Sequence, residues 1–503
     1  MKESSSGIVV ASRPGFFARM QLRAPVFERL RRSGRPVVVL WPREEQEQLQ
    51  AELDSPAVFL ERLYVRRETS YTGGVLEHIL QQIRTYTLPR GLSSAAVEQK
   101  LERQRRTWPR WRRSTKGLWL IVFTGVRLAR RYAGVRALLR KLEERVSRTT
   151  YYQQLFERYQ IGVVVTATPG YAPWHEDAYV IREARRAGIP TVCVVLSWDN
   201  TSSKGLLGAV PDYCLVWTEE MKKELVVFHD VDPARIYVTG TPLFDPYVQA
   251  RDVDHKAALV EKFGLDPARK IILIGTKSPR NYVYNAQIID ILVRALREDR
   301  FSTPVQFIIR PHPINFFKGK PHPDLVEMRR LAEDTPHIHF SIPEQCAEDT
   351  MDLPWSEVQE MVRLIGGADV VVSMFSTMQL EAALYDKPVI NVAFDPGPVA
   401  VNDKSLTEDE AQFHNARVVA TDGVRLAHSP EDLIACINRY LDDPSLEHVG
   451  RKRIRQQECG PLDAGAAERI ARFILAVAED GAPPSDAAAS RPPAREQAIQ
   501  EAA

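Results

Sequence analysis

Short apolar runs rich in β-branched residues punctuate the first half of the chain: Ile8–Ala11, Pro36–Leu40, Gly162–Thr166 and Thr191–Leu196. Each is too short for a buried helix. Most lead through a turn into a helix-like stretch, the pattern of parallel strands buried on both faces. A second series follows Lys270 through Ile271–Gly275, Val305–Arg310, His337–Ser341, Val370–Ser373 and Pro388–Ala393. Helical periodicity lies between them, over Ala286–Arg297, Pro323–Ala332, Ser356–Ile365 and Thr377–Tyr385. Two such series predict an α/β protein with two doubly wound, Rossmann-like domains.

The predicted N-terminal domain covers residues 1–245 and the C-terminal domain 246–480, with a hinge between Thr239-Gly240-Thr241-Pro242 and Ala268. A length of 503 residues, 44% hydrophobic and 26% charged, suits two sizeable cores. The Ala/Pro/Ser-rich sequence from Pro483 has little to bury, which predicts a disordered tail over 481–503.

A segment at about 97–150 lacks the βα rhythm and predicts a helical insertion in the N-terminal half. No acidic residue lies between Glu102 and Glu143, while Arg103, Arg105, Arg106, Arg110, Arg112, Arg113 and Lys116 precede the apolar run Leu118–Phe123 and Arg127, Arg130 and Arg131 follow it. One reading is an interfacial helix, with Trp108, Trp111 and Trp119 at the headgroup boundary and the arginines on anionic lipid. Another is a hairpin that packs Leu118–Phe123 into the domain core and leaves a solvated basic face. An anionic polymer is a third, but Lys+Arg at 67 against Asp+Glu at 65 gives a net charge of only +2. No nucleic-acid partner is predicted.

The five cysteines are scattered, with no CxxC and no Cys/His pair at ligand spacing, so reduced thiols and no metal site are expected. The start has no signal-peptide core, and no apolar run approaches the roughly 20 residues that span a bilayer. The expected location is cytoplasmic, peripheral at the inner face of the membrane if the insertion touches lipid.

Candidate chemistry concentrates in the C-terminal half. The loop Gly275-Thr276-Lys277-Ser278-Pro279-Arg280-Asn281 leaves a predicted strand for a helix, where open sheets hold ligands. Gly275 permits close backbone approach, and Lys277 and Arg280 are cations for phosphate oxygens. In Arg310-Pro311-His312-Pro313 two prolines fix the backbone around an imidazole suited to phosphate contact or proton transfer. In Ser373-Met374-Phe375-Ser376-Thr377-Met378-Gln379-Leu380-Glu381 a strand breaks into a helix start: Ser376 or Thr377 would cap it, and Glu381 lies one turn on, at the depth of a ribose hydroxyl. The plain alternatives are an ordinary turn, a capping histidine and a solvent-facing glutamate.

Val238-Thr239-Gly240-Thr241-Pro242-Leu243-Phe244-Asp245, then Arg310-Pro311-His312-Pro313, then the Ser373–Ala383 unit with Asp386-Lys387-Pro388 resemble, in that order, the GT-B proteins. The likeness is nearest to UDP-N-acetylglucosamine 2-epimerases and CDP-glycerol glycerophosphotransferases of bacterial surface polymer synthesis. It implies ribose and diphosphate binding by Ser376, Thr377 and Glu381, and a cleft role for His312. Ser197-Trp198-Asp199-Asn200-Thr201-Ser202-Ser203-Lys204-Gly205 also resembles a segment of bacterial surface-carbohydrate proteins of this fold. Ser376-Thr377 before Gln379-Leu380-Glu381 departs from the Gly-Gly before Gln-Glu-Glu of the epimerases and loses one carboxylate, which argues against epimerisation.

The expected activity is that of a metal-independent GT-B glycosyltransferase. It would move a sugar from a nucleotide-sugar donor to a surface-polysaccharide or lipid-linked acceptor in the cleft between the halves. Gly275, Thr276, Lys277, Arg310, Ser376, Thr377 and Glu381 are assigned to the nucleotide diphosphate, Asn200 and Lys204 to the acceptor. Asp199, His312 and Asp177 are the candidates for proton transfer. No cofactor beyond the donor substrate is called for. The alternatives are glycerophosphate transfer from a CDP-activated donor, UDP-sugar epimerisation, and a non-catalytic scaffold at a membrane surface.

Overall fold

A computed structural model describes residues 6–487 apart from 43–45, 54, 65–73, 90–94, 108–112, 173, 281, 320, 334, 345–351, 400–403 and 486. The chain divides into two compact units. The first holds residues 1–13, 20–242 and 465–503, and the second holds Pro14–Arg19 and Leu243–Ala464.

The first unit contains strands β1 (Gly7–Ala11), β2 (Val37–Trp41), β3 (Val58–Arg62), β4 (Ile161–Thr166), β5 (Thr191–Val194), β6 (Tyr213–Val216) and β7 (Ile236–Val238). They pair in parallel in the order β3-β2-β1-β4-β5-β6-β7. Ile8 faces Val37 on one side and Val163 on the other, so β1 is central, and every residue of it is buried. This is why Ile8–Ala11 carries no polar alternation.

The second unit contains β8 (Lys270–Gly275), β9 (Val305–Arg310), β10 (Ile338–Phe340), β11 (Val370–Ser373), β12 (Val389–Val392) and β13 (Arg425–Ala427), in the order β10-β9-β8-β11-β12-β13. Alternate residues Ile272, Ile274, Phe307, Ile309, Val370, Val372, Ile390 and Val392 share one core with the helices Asn285–Arg297 and Pro430–Asp442. Ile271, Leu273, Ile308 and Val371 are buried on the other face. Removing one such side chain to alanine costs roughly 2–5 kcal/mol.

The structure redraws the expected boundaries. Helix Ala466–Asp480 packs on helix Pro25–Arg32 and β4 in the first unit, because Ile470, Phe473, Ile474 and Val477 form its buried stripe. Arg35 and Arg29 pair with its Glu479 and Glu468. The second unit therefore ends near Ala464 rather than 480. Of the expected tail 481–503, only 481–485 and 487 are described.

The insertion begins earlier than expected, as helices Gly74–Thr85, Ala95–Thr107, Arg113–Arg131 and Ala133–Val146. Val122, Val126, Ala129 and Leu139 pack inward on Leu80, Ile83 and Leu101. Helix Ala133–Val146 is locked down by a fully buried charge cluster, in which Arg84 pairs with Glu143 at 2.8 Å and Arg182 lies 3.3 Å from the same carboxylate. Those two arginines hold Glu143 below the usual carboxylate range against the burial that would raise it.

Candidate functional site

In the second sheet the strand order reverses between β8 and β11, so the turns beyond them part and leave a crevice at the carboxyl edge. A cavity of about 360 Å³ lies there. Gly275 and Thr276 line it from the end of β8, Arg310 and His312 from the end of β9, and Ser376, Thr377 and Glu381 from beyond β11. The structure thus gathers seven of the predicted nucleotide-site and proton-transfer residues around one space.

His312 is held from both sides. Its amide donates to the Thr276 hydroxyl at 2.9 Å, and its Nδ1 accepts from the Ile314 amide at 3.2 Å. A neutral imidazole with Nδ1 accepting carries its proton on Nε2 and is a hydrogen-bond donor there. Burial, with Lys277 and Arg19 nearby, lowers its pKa from 6.5 to about 4, so it is neutral near pH 7.

The β11 turn is strained. Phe375, a bulky residue, adopts φ 54°, and its amide donates to Asn391 at 3.3 Å. Thr377 is the N-cap of the short helix Met378–Leu384 but makes no side-chain cap; the Ser376 hydroxyl just before it accepts from the Met378 amide at 3.3 Å and lies 3.0 Å from the Ser373 hydroxyl. Glu381 is buried rather than solvent-facing. Desolvation raises its pKa from 4.5 to about 7, opposed chiefly by Arg19 and then by Tyr247 and Thr377.

Three predicted residues have other engagements. The Lys277 ammonium pairs with Asp409 and donates to the Met374 carbonyl at 3.2 Å, bracing the β11 turn. Arg310 lines the cavity but pairs with Glu357 and donates to Ser341 at 3.0 Å. The space a Cβ at Gly275 would need is taken by the Met378 sulfur, so this glycine accommodates a neighbouring side chain. Asn281 lies outside the described residues.

Arg19 was not legible as a site residue. Segment Pro14–Arg19 belongs to the second unit, where the Gly15 amide donates to Asp352. Arg19 lines the cavity with its guanidinium 4.9 Å from the Phe16 ring centre, and its buried Nε makes no hydrogen bond. Desolvation lowers its pKa against the attraction of Glu381 and Glu357. A cation so placed is poised to gain from an anion.

The remaining candidates lie in the first unit. Asp177 is buried, pairs with Arg13 at 2.7 Å and accepts from the Thr168 hydroxyl at 2.6 Å. With both oxygens engaged it braces the turn after β4, which corrects its assignment as a base. Asp199 is partly exposed and pairs with Lys204 at 3.0 Å, while the Ser203 hydroxyl donates to it at 2.8 Å. It makes no side-chain cap on the short helix Asn200–Ser203. Asn200 is buried at 2% exposure. Among the described residues no group of three or more His, Cys, Asp or Glu could hold a metal ion, and no helix is long and apolar enough to cross a membrane.

A model of the CDP-glycerol:poly(glycerophosphate) glycerophosphotransferase family matches residues 202–476, more than half of the chain. The chain belongs to this family. The match contains every residue of the cavity wall except those contributed by Pro14–Arg19. A curated relative, a teichoic acid glycerol-phosphate primase of Bacillus spizizenii, is 25% identical over 184 residues, 37% of this chain and 40% of the relative. The chain thus spans well under half of that protein's length. A solved structure from Listeria monocytogenes, assigned as a UDP-N-acetylglucosamine 2-epimerase, aligns over 96% of this chain and 99% of its own with TM-score 0.52 and 12% identity. The UDP-GlcNAc 2-epimerase of Neisseria meningitidis, solved with UDP-GlcNAc, aligns over 92% and 98% with TM-score 0.49 and 12% identity. The two parallel sheets, of seven and six strands, make this a two-domain GT-B fold. The family is one of glycerophosphate transferases, so the expectation of sugar transfer gives way to what was its alternative.

Proposed function

We propose that the chain transfers a glycerol-phosphate unit from CDP-glycerol to a hydroxyl of a teichoic-acid-like or lipid-linked acceptor, with release of CMP. The observation that carries this reading is the family match, whose span holds almost the whole wall of the cavity in the second unit. In the proposed step the acceptor oxygen attacks the phosphorus bearing glycerol. The new P–O bond forms as the bond to the bridging oxygen of the diphosphate breaks. CMP leaves with that electron pair, and the acceptor proton passes to a base or to water.

The chain's contribution is positioning and charge stabilisation. Arg19 supplies the buried cation that meets the diphosphate, and the His312 Nε2–H donates to a phosphoryl oxygen. With its Nδ1 already accepting from Ile314, His312 acts in this arrangement as a donor rather than as the base. Glu381 accepts from the ribose hydroxyls in its ionised form, which it reaches near neutral pH because burial raises its pKa to about 7 while Arg19 offsets part of that burial.

The test is to incubate the protein with CDP-glycerol or a UDP-sugar and a glycerophosphate-primed acceptor. The expected products are CMP and a phosphodiester visible by phosphorus NMR. Turnover of the UDP-sugar with a glycosidic product, and none of CDP-glycerol, would overturn the reading.

A further inference from the structure

The strained turn beyond β11 is tied into the second unit by a series of buried side-chain amides. Three carboxamides stand in line: Asn391 on β12, Gln379 on helix Met378–Leu384 and Asn415 on helix Phe413–Ala420. Asn391 Oδ1 accepts from the Phe375 amide at 3.3 Å, and its Nδ2 donates to Gln379 Oε1 at 2.8 Å. Gln379 Nε2 donates to Asn415 Oδ1 at 3.1 Å, and Asn415 Nδ2 donates to the Asp409 carbonyl at 2.8 Å. The Asp409 carboxylate pairs with Lys277, whose ammonium donates to the Met374 carbonyl at 3.2 Å. The series thus leaves the turn at Phe375 and returns to it at the neighbouring residue.

Its ends fix its direction. One end is a backbone N–H and the other a backbone C=O, and neither can reverse, so all three amides between them must point the same way. Asn391 and Gln379 are fully buried and Asn415 nearly so. Apolar side chains of the same size would fill this space without desolvating three amides, whereas a fully satisfied polar network selects one arrangement of the groups it joins. The groups joined here are the turn in which Phe375 holds φ 54° and the helix that carries both Gln379 and Glu381. Residues two apart on a helix lie about 200° round its axis. Anchoring Gln379 to β12 and to helix Phe413–Ala420 therefore turns Glu381 the other way, toward the cavity that Ser376 and Thr377 also line. Among the described residues, the wall of that cavity includes none of the three amides.

We propose that Asn391, Gln379 and Asn415 are positioning residues of the donor site: as one directional relay they hold the β11 turn and the helix after it in the geometry in which Ser376, Thr377 and Glu381 meet the nucleotide. Lys277 and Asp409 close the relay from the far side. The role rests on the donor reading given above. A relay of this kind acts on affinity through geometry, since a small misplacement of binding groups is enough to lose much of what they contribute.

The experiment is titration calorimetry of the full chain with CDP-glycerol and, separately, with UDP-N-acetylglucosamine, well below the melting temperature. The proteins are wild type, Asn415→Leu, Glu381→Gln and the double variant. Asn415→Leu breaks the relay at the member farthest from the turn and is expected to weaken CDP-glycerol binding by at least roughly tenfold. The double variant should lose less than the product of the two single losses, because Glu381 is already misplaced once the relay is cut. Should Asn415→Leu fold poorly, the combination Asn391→Leu, Gln379→Met and Asn415→Leu decides, since it removes the amides together and leaves fewer polar groups unpaired. A relay that serves stability alone would lower the melting temperature and leave the affinity of the folded protein unchanged. That result, or losses that simply multiply, overturns the proposal while the donor reading stands. Wild-type binding of UDP-N-acetylglucosamine and not CDP-glycerol, weakened by Asn415→Leu, overturns the donor reading and supports the relay. Wild-type binding of neither overturns both.

Discussion

Arg19 and Glu381 line one cavity, and the charge of the arginine is the strongest influence holding the glutamate's pKa down against its burial. The arginine arrives on Pro14–Arg19, a six-residue segment that leaves the first unit only to join the second. The pairing gives the site a cation next to a carboxylate that ionises near neutrality.

Arg19→Gln is expected to weaken CDP-glycerol binding by roughly 10- to 100-fold, the worth of a charge-assisted hydrogen bond. The melting temperature should hardly fall, because the cation is desolvated and its Nε makes no hydrogen bond in the free protein. Titration calorimetry reads the affinity and a thermal melt reads the stability: an unchanged affinity would mean that this arginine does not touch the donor.

Glu381 and His312 set opposite pH dependences. Glu381 titrates near 7 when folded against 4.5 as its ordinary value, so the folded chain binds the extra proton and loses stability as pH rises through that window. Relative to wild type, Glu381→Gln should gain stability from about pH 5 to about pH 7 and then level off, by roughly 3 kcal/mol at most. His312 titrates near 4 against 6.5, so the unfolded chain binds the extra proton and stability is lost as pH falls through that range. His312→Asn should therefore gain relative to wild type on acidification. Urea denaturation at several pH values separates the two slopes.

Replacing Glu143 leaves Arg84 and Arg182 buried without their common counter-charge. Glu143→Gln is expected to cost roughly 3–5 kcal/mol, seen as a large drop in melting temperature. Exposed pairs such as Arg330–Glu327 should cost far less when broken, because solvent screens them.

The two aspartates of the first unit should separate by phenotype. Asp177→Asn removes the nearer carboxylate partner of Arg13 and is expected to lower stability, with turnover per folded molecule retained. Asp199→Asn leaves the partly exposed Lys204 without its ion pair and should leave the folding free energy within about 1 kcal/mol of wild type. Its effect on kcat then reports directly on whether this carboxylate takes the acceptor proton.

Strand content was legible wherever burial was two-sided. β1, β2, β4, β8, β9 and β11 read as unbroken apolar runs because both faces of each are covered. β3, β7 and β13 were not foreseen. Val58–Arg62 and Arg425–Ala427 sit at the ends of their sheets with half-buried positions, and Ile236–Val238 is only three residues long at another edge. Such strands lack the run that a pattern reading needs. β6, Tyr213–Val216, was also missed, although it is interior.

The sequence by itself determined two parallel α/β series, the turns at Gly275, Arg310–Pro313 and Ser376–Glu381, and a basic helical insertion. These are local: they follow from apolar periodicity, proline placement and helix starts. Only the tertiary structure decided which charges are spent and which remain. Lys277, Arg310 and Asp177 read as functional in sequence, yet fold against Asp409, Glu357 and Arg13. Arg19 read as nothing and reaches the cavity. The reason is that a side chain's availability depends on its partners in space, and those partners come from residues that no local spacing connects.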